Sequence, residues 1–139
     1  MALPNISDDD LKKLLEDVRS IAVVGISADP GKPSNRVASY LKQHGYHIIP
    51  VNPAAEEILD EKCYPDLKSI TEPIDVVDVF RRPEFLPPIA DEAVAVGAKV
   101  LWMQEGIRNE EAARTAEDAG LTVIQDACML KEHSRLIGK

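Results

Sequence analysis

Apolar positions along this chain recur in two rhythms that alternate almost from the first residues. Leu11, Leu14, Leu15 and Val18 fall at helical spacing behind Ser7 and the acids Asp8, Asp9 and Asp10. A serine N-cap with acids in the first turn, where the helix dipole favours negative charge, predicts a helix here. Ser20-Ile21-Ala22-Val23-Val24-Gly25 follows as a short continuous apolar run. That is the signature of a strand covered on both faces. A loop with Pro30, Gly31 and Pro33 leads to Ser34, expected to cap a second helix carrying Val37, Tyr40, Leu41 and His44 and ended by Gly45. The second strand should run from Tyr46 to Val51 and close at Asn52-Pro53.

The rhythm weakens over residues 54 to 73, where a short helix around Asp66 to Ile70 is expected after Pro65. It resumes with a third strand, Ile74 to Phe80. Pro87-Pro88 should open a helix through Ala95, ended by Gly97, since proline is tolerated in a first turn. Val100 to Met103 then reads as a fourth strand, Asn109 to Ala119 as a helix ended by Gly120, and Leu121 to Ile124 as a fifth strand. Strands separated by helices imply parallel pairing with right-handed crossovers. The expected fold is α/β: a three-layer, Rossmann-like, doubly wound parallel sheet of about five main strands. At 139 residues, with no repeat or domain-scale linker, one domain over 1–139 accounts for the chain.

Composition narrows the partners. The net charge of −8 opposes the basic stripe that duplex binding needs, so no nucleic acid is expected. No apolar run approaches the ~20 residues of a membrane span, and the N-terminus lacks a signal-peptide layout. With two cysteines, Cys63 and Cys128, outside any CxxC pair, a cytoplasmic protein with reduced thiols is expected. His44, His47 and His133 have no zinc-ligand spacing with either cysteine, so no metal site is expected.

The chemistry concentrates after the first strand. In doubly wound sheets, ligands bind outside the carboxyl ends of the strands near the topological switch point. There Gly25 lets a ligand approach the backbone, Ser27 offers a hydroxyl, and the following helix offers free N–H groups to phosphate. Lys32 and Arg36 supply cations that are otherwise outnumbered. The alternative reading is an ordinary strand–helix turn with two solvated basic residues. A dinucleotide fingerprint, GxGxxG, is absent, because Ser27 and Pro30 stand where it needs glycines. Nor does Val37 to Pro53 contain the acid that usually takes the ribose hydroxyls of NAD. An acid there would repel a phosphorylated ribose, so its absence suits a cofactor bearing an extra phosphate.

Three stretches together carry a resemblance. They are Val23-Val24-Gly25-Ile26-Ser27, Lys32-Pro33-Ser34-Asn35-Arg36-Val37, and Gly45-Tyr46-His47-Ile48-Ile49-Pro50-Val51-Asn52-Pro53. They resemble the stand-alone coenzyme A-binding proteins, similar to the N-terminal domain of the succinyl-CoA synthetase α subunit and of NDP-forming acyl-CoA synthetases. The resemblance continues through Asp75 to Pro83, Trp102 to Ile107, Asn109 to Ala113 and Asp126 to Cys128. It implies coenzyme A or acyl-CoA as ligand. Gly25, Ile26 and Ser27 would face the phosphates, Lys32 and Arg36 would pair with them beside Ser34, and Asn52 and Pro53 would border the adenosine end. Val79, Phe80 and Arg81 would lie where the cofactor crosses the sheet. Met103, Gln104 and Glu105 match the position of a Thr-Glu-Gly-Ile segment, with Gln104 replacing threonine.

The synthetases carry their phosphorylated histidine in a further domain that these residues do not supply, so the expectation is a binding module without a complete catalytic site. The alternatives are an NAD(P)-binding redox sensor or small oxidoreductase, and the cofactor-binding subunit of a split acyl-CoA synthetase. A homodimer or a separate catalytic subunit would be the protein partner. Cys128 reads first as packing; as a functional alternative it would form a mixed disulfide with the cofactor thiol, its pKa lowered by Lys131 or His133. Glu105 could act as a general base, although an acid at a pocket edge is also a common hydrogen-bond acceptor.

Overall fold

The computed structural model of the chain describes residues 3–138. Its elements in chain order are α1 (Asp8–Asp17), β1 (Ser20–Val24), α2 (Pro33–Gln43), β2 (His47–Val51), β3 (Glu57–Ile58), β4 (Glu61–Lys62), β5 (Val76–Val79), α3 (Leu86–Ala95), β6 (Val100–Met103), α4 (Glu110–Asp118), β7 (Thr122–Ile124) and α5 (Met129–Leu136). Short 3-10 turns occupy Leu67–Ser69 and Pro83–Phe85. The predicted helices and strands are found with ends shifted by a residue or two. In α1, the Ser7 hydroxyl accepts from the Asp10 N–H as the cap motif predicts.

β1, β2, β5, β6 and β7 form one parallel sheet in the order β2-β1-β5-β6-β7. The chain runs outward from β1 to β2, then returns past β1 to build the other half. The switch point therefore lies between β1 and β5, as in doubly wound sheets of the flavodoxin order. Each inner strand is buried along its whole length, which explains its unbroken apolar run. Alternate residues serve different layers. Ile21, Val23, Val76, Val100, Trp102 and Ile124 pack with α1, α2 and α5, whereas Ala22, Val24, Val77, Val79, Leu101, Met103 and Val123 pack with α3 and α4. No helix among the described residues is long and apolar enough to cross a membrane.

One expectation needs correction, and two elements appear that the sequence pattern did not announce. Ser34 does not cap α2: the N-cap is Lys32, Pro33 takes the first helical position, and no side chain caps the end. Residues 57–62 form a hairpin, β3–β4, whose Leu59 and Asp60 both have positive φ, 56° and 62°. That is the backbone of a two-residue I′ turn, here built without the usual glycine. Finally, α5 follows the fifth strand where no element was expected.

Candidate functional site

Strand register builds the site. Val51, Val24, Val79 and Met103 are partners across β2, β1, β5 and β6. The next position on each strand therefore brings Asn52, Gly25, Phe80 and Gln104 side by side at the carboxyl edge. The ladder continues past the last residue of the strands, because the Gly25 N–H donates to Val51 O and the Phe80 N–H to Val24 O. The Gln104 N–H donates to Val79 O. By strand alternation these residues belong to the α2 and α5 side of the sheet. The rim thus lies directly before the start of α2.

Gly25 is required at this rim. Its φ is +87°, and a Cβ there would stand 3.0 Å from the Phe80 carbonyl oxygen and 3.0 Å from Arg81 Cδ. The Arg81 stem lies across the glycine while its guanidinium sits 4.3 Å above the Phe85 ring. A cation is so held at the switch point between β1 and β5.

The loop from Gly25 to Lys32 is pinned from below. Ser34 and Asn35, both buried, hold Ser27 from opposite sides: the Ser27 N–H donates to Ser34 Oγ at 2.9 Å, and Asn35 Nδ2 donates to Ser27 O at 2.8 Å. Asn52 Nδ2 donates to Ile26 O at 2.9 Å, tying the loop to the end of β2, while Ile26 itself is sealed in the core. Ser27 Oγ accepts from the Asp29 N–H, and Arg36 Nη1 donates to Gly31 O. Lys32 and Arg36 are exposed beside an α2 start that lacks a side-chain cap. Free N–H groups and a positive dipole end stand beside two exposed cations at the start of α2, an arrangement suited to phosphate.

The other predicted residues divide. Val79 and Met103 are fully buried in the layer under α3 and α4, so their side chains do not reach the rim. Phe80 and Gln104 do stand on it. Glu105 is exposed and pairs with Lys131 at 2.8 Å, a surface ion pair of small energetic weight. Pro53 is exposed and, with Asn52, borders a cavity of about 400 Å³ whose far wall includes Lys62 and Cys63 of the β4 end. That volume falls within the range of small-molecule sites. A larger cavity, about 540 Å³, opens at the opposite edge between α1 and α4, lined by Lys13, Lys99 and Thr122 among others. Topology favours the carboxyl edge over volume as the place for a ligand.

Cys128 departs from its functional alternative. Burial pushes its thiol up, against weaker opposing bonds from the backbone of Lys131 and Leu130. The Lys131 ammonium is engaged with Glu105, and His133 Nδ1 faces the Tyr40 hydroxyl at 2.9 Å. Burial outweighs the lowering that Lys131 exerts, and Cys128 packs in the core as its first reading has it.

Sequence reasoning gave no weight to Asp78 or Lys62. Asp78 is fully buried in β5, two residues before Phe80 on the same face. The signal was an acid inside an apolar strand. Lys62 gave no signal, because its place beside Asn52 depends on the unforeseen hairpin.

A family model described as a CoA binding domain matches residues 19–134. The Bacillus subtilis protein YneT is 42% identical over 132 residues, covering 95% of this chain and 98% of YneT. An ADP-forming acetate–CoA ligase II of Archaeoglobus fulgidus is 34% identical over 101 residues, which cover 71% of this chain but 15% of the ligase. Among solved structures, a protein from Pyrococcus horikoshii OT3 superposes with a TM-score of 0.95 at 40% identity, covering 99% of this chain and 97% of that one.

Proposed function

The chain belongs to the CoA-binding domain family, and on that premise we propose that it binds coenzyme A or an acyl-CoA at the carboxyl edge of the sheet. The observation that carries this reading is the rim itself: Gly25 in close approach to Phe80 and Arg81, beside an uncapped α2 start flanked by Lys32 and Arg36. The diphosphate would lie along Gly25 to Ser27, with Ser34 and Asn35 holding that loop in shape before any ligand arrives. Asn52 and Pro53 would border the adenosine moiety, in the cavity that Lys62 closes on its far side. Val79 and Met103 would support the rim from beneath, and Arg81 and Gln104 would face the cofactor as it crosses the sheet. On this reading the chain is a binding module without a complete catalytic centre of its own.

NAD is disfavoured at the end of β2. Asn52 stands there, and its amide is used on Ile26 O and the Ala54 N–H, so no carboxylate is offered to the ribose hydroxyls. Calorimetry with CoA and dephospho-CoA tests the reading, with tighter binding expected for CoA. Lys32→Ala and Arg36→Ala should each weaken CoA by about 1.5–3 kcal/mol, the worth of a charge-assisted hydrogen bond. Equal affinity for both ligands in the unaltered protein would remove the role given to the extra phosphate.

A second reading is that the chain serves as the cofactor-binding part of a split synthetase. It is favoured by the small share of the Archaeoglobus ligase that the chain spans, 15%. Co-purification with a chain carrying the remaining synthetase domains is expected under this reading; recovery of the protein alone from its own cells counts against it.

A further inference from the structure

Beneath the rim lies one acid whose surroundings do not suit a charge. Asp78 is fully buried, and its neighbours across the sheet are Val23 and Trp102. Its Oδ1 accepts from Gln104 Nε2 at 2.6 Å, and its Oδ2 is the buried side-chain oxygen left without a partner among the described residues. An ionised carboxylate with one donor and no water is costly; the neutral acid is far less so. Burial accordingly pushes the Asp78 carboxyl up to about 7, with the Gln104 bond opposing.

No ionised neighbour enters that balance. From β1 and β6 the facing residues are apolar, and α1 contributes the apolar Leu11 and Leu15. The buried polar groups of α2 are Ser34 and Asn35, neither of which titrates. On the α5 side, burial pushes the Cys128 thiol up and the His133 imidazole down, each toward its neutral form, while Glu132 is paired with Arg135 at 2.6 Å. The tyrosines packed on this face, Tyr40 and Tyr46, bond to His133 and to Leu15 O. Lys32, Arg36, Lys131 and Arg135 remain at the surface.

A carboxyl and an amide that meet through one hydrogen bond have two arrangements. When Asp78 is ionised it can only accept, so Gln104 turns its NH₂ inward and its carbonyl oxygen away. When Asp78 is protonated it gains a proton to donate, and half a turn of the amide about its last torsion supplies the oxygen inward to accept it and sends the NH₂ outward. Gln104 stands on the rim beside Phe80, two strands from Gly25 in the ladder. Gln104 is itself nearly buried, and its outward oxygen has no hydrogen-bond partner among the described residues.

We propose that Asp78 is a positioning residue whose protonation decides whether Gln104 presents a hydrogen-bond acceptor or a donor to the bound cofactor. The proposal rests on the CoA reading of the rim. An anionic or carbonyl-bearing part of the ligand selects the NH₂, so binding draws a proton onto Asp78. One proton moves from solvent to the carboxylate, with no other bond made or broken. Affinity then falls as the pH rises through neutrality.

The experiment is calorimetry with dephospho-CoA, whose diphosphate has no group titrating near neutrality, and with CoA in parallel. It is run at pH 6, 7 and 8 in buffers of different ionisation enthalpy. The unaltered protein should take up a fraction of a proton near pH 7 and bind about fivefold more weakly at pH 8 than at pH 6, as a one-unit rise at a linked group titrating near 7 requires. Asp78→Asn should take up no proton and show a flat profile. Matching profiles in the two proteins would overturn the proposal and leave CoA binding standing. Absence of binding of either ligand at every pH would overturn the CoA reading and this coupling with it. The carboxyl carbon of Asp78, followed by NMR in the ligand-free protein, decides the question even if Asp78→Asn fails to fold. Titration near neutrality is expected, and titration in the ordinary carboxylate range overturns the switch.

Discussion

The two faces of the sheet are built from the same strands yet differ in kind. The face under α3 and α4 is a continuous apolar layer of Val, Leu, Ile, Ala and Met. The face under α1, α2 and α5 contains Asp78, Gln104, Ser34, Asn35, Glu132 and His133 beside its apolar residues. Ser20, the remaining buried polar residue, sits at the amino end of β1, where its hydroxyl donates to Pro73 O. Polar groups in a core add little net stability and exact a desolvation cost. They are gathered on one face: Ser34 and Asn35 at the start of α2, Asp78 and Gln104 beneath the carboxyl edge, and His133 against Tyr40 and His44 at the far end of α2. The opposite face holds the sheet in place.

Substitution on the apolar face should break stability alone. Leu101 is fully buried there, and Leu101→Ala should cost about 2–5 kcal/mol through lost burial and the cavity left behind. Urea unfolding measures the loss, while the folded fraction should keep the CoA affinity of the parent. A change in affinity beyond twofold would show that the two faces are not separable.

On the polar face the sign reverses. The Asp78 carboxyl is raised from its ordinary value of 3.8 to about 7 in the fold, so the native state holds its proton more tightly than the unfolded chain does. Stability from this group is fully present below about pH 4 and is lost as the pH climbs to about 7, after which the loss is constant. The difference amounts to on the order of 4 kcal/mol. Asp78→Asn should therefore stabilise the protein at pH 8 and change it little at pH 4, as read by urea midpoints at the two values. An equal effect at both would mean that Asp78 is not the group that titrates.

The smallest effect belongs at the margin. Asn109 caps α4 by accepting from the Ala112 N–H, and Asn109→Ala should cost about 1 kcal/mol with unchanged ligand affinity. A thermal melt and a CoA titration read the two quantities.

The same contrast decides what could be read along the chain. The inner strands were legible because a strand buried on both faces must be apolar throughout, as in Ile21 to Val24 and Val100 to Met103. The loop from Gly25 to Lys32 was legible as a strand–helix junction, because β1 ends at Val24 and α2 begins at Pro33 as the sequence pattern implies. α5 was not, since its buried face consists of Met129, Glu132 and His133. Two of those three are polar, so the apolar rhythm that reveals a helix is missing. Ser34 looked like a cap from composition, but its hydroxyl is drawn instead to Ser27 by the turn of the loop. Val79 and Met103 were drawn to the site by their position at strand ends, although strand alternation turns both toward α3 and α4.

The central claim, that the cofactor lies at the carboxyl edge beside Gly25, is tested most directly by residue-resolved amide shifts on titrating CoA into isotopically labelled protein. The account predicts that the largest changes fall on Gly25, Ser27, Asn35, Phe80 and Gln104. Changes centred instead on Lys13, Lys99 and Thr122, around the cavity at the opposite edge, would contradict it.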